Sequence, residues 1–387
     1  MCIVSTDKKR QLEPEVITGI MLIGATILAL IIANTPLEHT YHYILSDIGF
    51  GEFNLHLLIN DFLMAIFFLI AGGEIKHEIL HGNLSTVKKA SFPVLAAIGG
   101  VAIPALIYAL LNMRTEFAIG AGIPISTDIA FAVGIYMIFK NKLNPNLKVF
   151  LLSLAVVDDL ISIIVIGVAY SSDIRSTGLL GAAIVIAALW VMANIYKLEN
   201  PKLYILPGLI LWLCIFFSGV HATISGVILA ALLPTESKSG GPNTLERTLH
   251  ALTPFSNYVI LPLFAFANTG INLNVEINFT QVRTLISGII LGLSVGKPVG
   301  IFLFTYLAEK FGFAERPPGV SWFSIFQVGI LAGIGFTMSI FVSQLAFSFN
   351  QLFVDVAKIS ILLAVIISII LTFVFIGVDM VIHKKAS

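Results

Sequence analysis

The sequence has little charge. Only 11% of its 387 residues are charged, and 22 basic residues balance 22 acidic ones. A soluble protein of this length would carry far more charge and would divide into two or three domains. No basic tail or charged block indicates a nucleic-acid partner. The two cysteines, Cys2 and Cys214, are far apart and form no disulfide or metal pattern.

Long apolar runs take the place of charge, since 57% of the residues are hydrophobic. A bilayer core of ~30 Å needs ~20 apolar residues per spanning helix. We therefore predict an all-α polytopic membrane protein, a single transmembrane domain over residues 1–387 with about twelve helices. These helices are predicted at residues 16–34, 55–80, 91–112, 116–139, 145–170, 177–196, 202–217, 219–233, 244–269, 285–308, 322–345 and 353–381.

Positive charge in the loops is distributed unevenly when successive helices alternate in direction. With both termini in the cytoplasm, 17 Lys and Arg residues fall on the inner side and only Arg114, Arg175 and Arg283 fall outside. Lys297 and Lys358 remain within helices. Because cytoplasmic loops carry the excess of Lys and Arg in membrane proteins, the bias supports twelve spans.

The same alternation predicts an internal symmetry. Helices three to five start from the inside, and helices ten to twelve start from the outside, so a repeat at this offset has inverted topology, as in many secondary transporters. Helices four and eleven both place glycines before a threonine, Thr127 or Thr337, and helix four adds Pro124. Proline removes a helix donor. The two helices are either kinked or discontinuous at the membrane centre, where half-helix ends would need charged partners.

Two adjacent carboxylates stand out near the middle of helix five. Asp158 and Asp159 lie in SLAVVDDLISIIVIG. Charge inside a membrane is expensive and marks functional sites. Adjacent helical residues point ~100° apart, so the two acids cannot share one partner, and neighbouring carboxylates resist being ionised together. This suits a site where a proton and Na⁺, which prefers oxygen ligands, compete; the alternative is two acids held by unrelated bases.

The other mid-helix charges fall near this pair. Lys297, in GLSVGKPVG of helix ten, is predicted to neutralise Asp158 or Asp159, or to compensate the carbonyls of a helix C-terminus. Asp128 follows Thr127 after the turn that Pro124 disrupts, so it either caps a half-helix N-terminus or binds a cation. Thr127 offers oxygen atoms beside it.

Helix two carries polar residues at both of its ends. Asn60 and Asp61 are interpreted as part of the cytoplasmic funnel or as structural residues. At the other end Glu74, His77 and Glu78 form either a pH-responsive patch or a solvated helix end.

Several stretches together resemble the NhaA family of bacterial Na⁺/H⁺ antiporters over almost the full length. They are INDFLMAIFFLIAGGEIKHE, FPVLAAIGG, IPISTDIAFAVG, LAVVDDL, SGVHATISGV, ILPLFAFANTG, GKPVGI and GILAGIGFTMSIF. The resemblance implies crossed, interrupted helices four and eleven and a cation site at Asp158 and Asp159, with Asp159 the principal ligand. It implies that Thr127 and Asp128 belong to that site and that Lys297 pairs with Asp158.

The resemblance also implies an inner-membrane transport protein that is not an enzyme and needs no cofactor. Na⁺ or Li⁺ leaves the cell and protons enter, electrogenically and under pH control. A homodimer is expected, supported by a small β-hairpin after helix one, near residues 43–55. The pH-sensing cluster departs from the family pattern, because His77 replaces an arginine, and the alignment of Glu246 and His250 carries three extra residues before ILPLF.

Three other interpretations fit such a membrane protein. One is a transporter of an organic anion on a similar inverted-repeat scaffold, but the carboxylate-rich site favours cations. A cation channel would show flux without a counter-ion and usually a repeated pore ring, which the sequence lacks. An intramembrane aspartyl protease would need two aspartates on separate helices activating one water. Asp128 and Asp159 could mimic that arrangement, but no GxGD-type motif is present.

Overall fold

The fold is a bundle of long apolar helices. The computed structural model describes residues 13–50, 53–82, 84–140, 144–171, 174–237, 240–273 and 278–386. In chain order, the helices of these residues are α1 (Pro14–Ala33), α2 (Glu38–His42, continued by a π-helical turn Tyr43–Asp47), α3 (Leu55–His81), α4 (Val87–Asn112), α5 (Glu116–Ile125, a 3₁₀ helix), α6 (Ile129–Ile138), α7 (Pro145–Ala169), α8 (Ser176–Asn194), α9 (Pro201–Phe217), α10 (Ile224–Leu232), α11 (Thr244–Thr269), α12 (Phe279–Lys310), α13 (Trp322–Ala332), α14 (Phe336–Ala346) and α15 (Gln351–Ala386).

The described helices confirm an all-α polytopic membrane protein. Eight of them are long and apolar enough to cross a membrane, and the number rises to ten if each of two bent pairs counts as one span. Helices α9 and α10 occupy the predicted seventh and eighth positions and are shorter. Several helices begin before their predicted starts because a polar side chain caps them: Thr86 accepts from the amide of Lys89, and Asn278 accepts from the amide of Thr280.

Two very short strands lie between α2 and α3. Strand β1 (Gly49–Phe50) pairs antiparallel with β2 (Phe53–Asn54), with Gly49 opposite Asn54. Residues 51 and 52, which fall within the predicted hairpin, lie outside the described residues.

The loops gather at two opposite ends of the bundle. At one end, which we call the lysine-rich end, Lys140 pairs with Glu13, Lys148 pairs with Glu15 and Lys88 pairs with Glu315. At the opposite end, the side chain of Asn34 after α1 donates to the carbonyl of Ile271 after α11. The cations at positions 8–10, 142 and 238, predicted on the inner side, lie outside the described residues.

Two predicted spans are interrupted, as the sequence indicated. Helices α5 and α6 meet at 44° across residues 126–128, and α13 and α14 meet at 49° across residues 333–335. Pro124 stands at the end of α5, and glycines Gly333 and Gly335 flank the second break. Gly333 tolerates no side chain, because a Cβ there would lie 2.4 Å from the carbonyl oxygen of Leu293 in α12. The breaks are thus fixed by close backbone packing.

Candidate ion-binding site

The two breaks meet at the centre of the bundle. The amide of Asp128 donates to the carbonyl of Ile334 at 2.8 Å, and the hydroxyl of Thr127 donates to the carbonyl of Ala332 at 2.9 Å. Ala332 is the last residue of α13, so Thr127 satisfies one of the carbonyls that a helix C-terminus leaves without a partner. Each interrupted segment therefore supplies the hydrogen bonds that the other lacks.

Asp128 caps two helices at once. Its Oδ1 accepts from the amide of Phe131 in α6 at 3.0 Å, and its Oδ2 accepts from the hydroxyl and the amide of Thr337 in α14, at 2.5 Å and 3.2 Å. Both helices present the positive ends of their dipoles here. One carboxylate thus compensates two half-helix N-termini. Of the two roles that the sequence predicts for Asp128, a helix cap or a cation ligand, these contacts fit the helix cap.

Lys297 compensates the negative side of the same centre. Its ammonium donates to the carbonyl of Ile125, the last residue of α5, and lies 2.7 Å from Oδ2 of Asp158. Both side chains are only 1% exposed. A π-helical turn, Gly292–Gly296, directly precedes Lys297, and such turns are frequent at functional sites. The sequence predicts either an acid or the carbonyls of a helix C-terminus as the partner of Lys297. The structure shows both contacts, with Asp158 and with the C-terminus of α5.

The two adjacent acids of α7 have different surroundings. Asp158 forms an ion pair with Lys297 and lies beside Thr127. Asp159 is equally buried, yet it makes no hydrogen bond or ion pair with the described residues. The angle of ~100° between neighbouring helical positions directs one carboxylate to α12 and the other away from it. Within the described part of the chain, Asp159 is the acid of this pair without a hydrogen-bonded or ion-pair partner.

Asp159 lines a cavity of about 370 Å³. Asp128, Thr337 and Glu74 line it too, and Glu74 and Asp128 are close enough to Asp159 to interact with its charge. The cavity extends to Glu15, whose side chain is 34% exposed and pairs with Lys148 at 3.0 Å. The carboxylate cavity therefore reaches solvent at the lysine-rich end.

Asn60 and Asp61 do not line this cavity. They precede Glu74 by more than a dozen residues of α3, roughly 20 Å at the rise of a helix, so they lie toward the opposite end. Asn60 instead exchanges hydrogen bonds with Asn268 of α11. Their role, as part of a funnel or as structural residues, stays a prediction.

The proposed pH-sensing residues separate into two places. His77 lies 3.8 Å from Glu246, the residue that closes a capping box with Asn243 at the start of α11. Glu74 belongs instead to the cavity of Asp159. Glu78 precedes the end of α3, and His250 is exposed on α11. The structure brings His77 to Glu246, and the charges of Glu74 and Glu78 interact along α3.

Three groups of this centre were missed from the sequence. In the sequence Thr337 stands out only as part of a glycine-threonine pattern. The carbonyl of Ile125 carries no side-chain signal, and Glu15 lies outside the predicted site. An acid in the first turn of an apolar helix was the available signal for Glu15. Among the described residues no three His, Cys, Asp or Glu side chains are grouped to hold a metal ion.

The sequence matches known proteins over nearly the whole chain. Residues 9–376 match the family model described as Na⁺/H⁺ antiporter 1. The chain belongs to this family. It is similar to Na⁺/H⁺ antiporter NhaA 2 of Aliarcobacter butzleri (44% identical, covering 93% of this chain and 94% of that protein) and to NhaA of Helicobacter pylori strain 26695 (42% identical, covering 94% of each). NhaA of Wolinella succinogenes is 41% identical and covers 95% of this chain and 92% of the relative.

Proposed function

We propose that this chain is a membrane antiporter that exchanges Na⁺ or Li⁺ from the cytoplasm for external protons, with Asp159 as the exchanging group. It is a transport protein of the Na⁺/H⁺ antiporter family and not an enzyme, and the ions are its cargo. The observation that carries the proposal is the state of Asp159, a carboxylate that is 1% exposed, has no neutralising partner among the described residues and lines a cavity open at one end.

Competition follows from the cost of a bare charge. An unpaired carboxylate in a low-dielectric interior is expensive unless something neutralises it. A proton does so by forming a neutral acid, and a cation does so by coordination. Na⁺ is a hard ion that prefers oxygen ligands, which Asp159 and neighbouring hydroxyl and carbonyl groups offer. Each ion therefore displaces the other from the same oxygen atoms.

The surrounding residues take distinct roles in this scheme. Asp158 joins Asp159 in proton exchange and cation binding, with Lys297 as its charge partner. Asp128 compensates the N-termini of α6 and α14, Lys297 compensates the C-terminus of α5, and Thr127 donates to the C-terminus of α13. The centre can therefore move without exposing uncompensated dipoles. Thr127 supplies oxygen atoms next to Asp158. If Asp158 also takes up a proton in the return step, more protons than cations cross in each cycle and exchange is electrogenic, driven by the proton gradient.

The finer architecture belongs to the same proposal. The described helices, with each bent pair as one span and α9 and α10 as short spans, support twelve crossings of a single transmembrane domain. The meeting of the two breaks supports an inverted repeat of helices three to five and ten to twelve. The lysine-rich end is then cytoplasmic, with both termini, in a bacterial inner membrane. The β1–β2 pair supports a homodimer contact, and His77 with Glu246 supports pH regulation for sodium and pH homeostasis.

A transport assay tests the proposal directly. In everted vesicles, sodium or lithium should release protons from the energised lumen, and Asp159→Asn should abolish this response, because an amide neither binds a proton nor neutralises a cation. Asp355→Asn is the control, since Asp355 of α15 is a membrane acid that accepts from Gln351 at 2.9 Å, away from the cavity.

Two results would contradict the exchanger. An Asp159→Asn variant that still exchanges at the wild-type rate would remove the carboxylate from the reaction. Sodium flux without proton movement would favour a channel, and cleavage of a membrane peptide in detergent that depends on Asp128 and Asp159 would favour a protease.

A further inference from the structure

Three amide side chains meet in the interior between α3, α11 and α14, at the end of the bundle away from the lysines. The side chain of Asn268 donates to Asn60 at 2.7 Å, and Gln344 donates to Asn268 at 2.5 Å. The amide of Asn60 lies 3.2 Å from the side-chain oxygen of Asn268 and 3.3 Å from that of Gln344. We call these three residues the amide cluster. Asn268 is completely buried.

The amide cluster lies on the outward continuation of the ion cavity. Leu261 of α11 and Thr337 of α14 line the cavity, and Asn268 and Gln344 follow them by seven residues. Seven residues are two turns of an α-helix, so each amide lies on the same face as the cavity residue and ~10 Å farther along. Asn60 stands seven residues before Phe67, a cavity residue of α3, in the π-helical stretch Leu58–Leu63 of that helix. Three helices that wall the cavity thus carry an amide at one level.

An aromatic layer lies beside the cavity. On α11 and α14 its rings stand between the cavity residue and the amide, and on α3 its ring is next to the cavity residue Phe67. Phe68, Phe264 and Phe341 come from the same three helices and are at most 1% exposed. The ring of Phe341 lies 5.9 Å from that of Phe68 and 6.2 Å from that of Phe264. A layer of packed rings offers a cation no oxygen ligand, and apolar constrictions of this kind exclude water.

We propose that the aromatic layer and the amide cluster form the outer gate of this antiporter. The proposal rests on the function proposed above, in which Asp159 must face the two sides of the membrane in turn. In the form described here the cavity opens at the lysine-rich end, and the two layers close the other end. The rings exclude ions and water, and the amides hold the helices together with hydrogen bonds that water can replace when the gate opens.

The contacts also indicate where the gate parts. Helix α14 is held to the site through Asp128, which accepts from Thr337. Helices α3 and α11 are joined to each other, since Asn60 and Asn268 exchange two hydrogen bonds. Gln344 is the single member of the amide cluster on α14. Opening therefore breaks the contacts of Gln344 and of Phe341, and keeps the Asn60–Asn268 pair intact.

A reversible cross-link tests this parting line. Asn268→Cys and Gln344→Cys are introduced together after Cys2 and Cys214 are replaced by serine, and a short bifunctional thiol reagent joins them in proteoliposomes. We expect cross-linking to reduce exchange to below about one-tenth of the rate of the reduced protein, because the gate can no longer open. A reductant should restore the rate, which shows that the protein remains folded.

The control is a second cross-link at the same end of the bundle. Glu38→Cys and Asn272→Cys replace two side chains that are 2.8 Å apart, on segments already joined by the Asn34–Ile271 hydrogen bond. This cross-link should leave exchange unchanged. If the Asn268–Gln344 cross-link also leaves exchange unchanged, the gate proposal is wrong. The proposed function is tested separately by Asp159→Asn.

Side-specific labelling provides an independent measurement. Gln344→Leu keeps the bulk of the side chain and removes its hydrogen bonds, so it should shift the balance toward the outward-open form by about fivefold or more. A reporter Leu261→Cys, behind the aromatic layer, should then react faster by that factor with a membrane-impermeant thiol reagent applied outside. An unchanged outer rate, or an equal rise from both sides, would overturn the gate and indicate a loosened fold.

Discussion

The buried ion pair between Lys297 and Asp158 makes the sharpest prediction about stability. Lys297→Met leaves a carboxylate that is 1% exposed without its partner and also removes the donor to Ile125. Removing one partner of a buried pair costs about 3–5 kcal/mol. Asp158→Asn should cost somewhat less, because Lys297 keeps the carbonyl of Ile125. In the double variant no unpaired charge remains. We therefore expect its loss of unfolding free energy to be smaller, by about 3 kcal/mol, than the sum of the losses of the two single variants.

The free energy of unfolding of all four proteins is measured by titration with dodecyl sulfate in mixed micelles. The control cycle uses Glu15 and Lys148, which are 3.0 Å apart but about one-third exposed. Its coupling should not exceed about 1 kcal/mol, because water screens exposed pairs. Additive effects of Lys297→Met and Asp158→Asn, or equal coupling in the two cycles, would refute the view that burial sets the strength of the central pair.

Three further predictions follow from particular contacts. Asp128→Ala removes the caps of α6 and α14 together and should lower the free energy of unfolding by about 2–4 kcal/mol, whereas Thr337→Val should cost about 1 kcal/mol in the same titration; equal losses would contradict a double cap. Glu74→Gln removes a charge from the cavity and should raise the KM for cytoplasmic Na⁺ about fivefold. His77→Ala lies outside the cavity and should leave that KM unchanged. A pH-independent rise in KM for His77→Ala alone would show that His77, and not Glu74, acts on the bound cation. Gly99→Ala should lower the stability of the protein by about 1–3 kcal/mol, since its Cβ would lie 2.3 Å from the carbonyl oxygen of Gly300. The Cβ of Gly24→Ala would meet nothing within 4 Å, so this control should show no loss of stability when both variants are followed by thermal denaturation.

The sequence predicted the helices well where apolar length alone decides them. A spanning helix is a local object whose length the bilayer sets, so α1, α3, α7 and α15 occupy their predicted positions. The starts of α4 and α12 were placed too late, because caps such as Thr86 and Asn278 extend a helix beyond its apolar run. The two interruptions were visible because Pro124 and the glycines before Thr337 act on their own backbone.

The site was predictable as a set of residue types and only partly as a set of contacts. Asp158, Asp159, Asp128 and Lys297 are marked by the cost of charge in a membrane. The separation of Glu74 from His77 was not predictable, since the two residues are three apart on one helix and their neighbours come from different helices. Asn268 and Gln344 of the amide cluster were missed because neutral amides carry no such mark, and Asn60 stood out only beside Asp61.

Hydropathy and the cost of buried charge are properties of single residues and their neighbours in the chain, and these the sequence determined by itself: a membrane bundle with two broken segments and an acidic pair at its centre. Partners far apart in the chain were decided only by the tertiary structure. Lys297 lies 139 residues from Asp158, and Thr337 lies 209 residues from Asp128. Helix packing brings these residues together, and it leaves Asp159 without a partner among the residues that the structure describes.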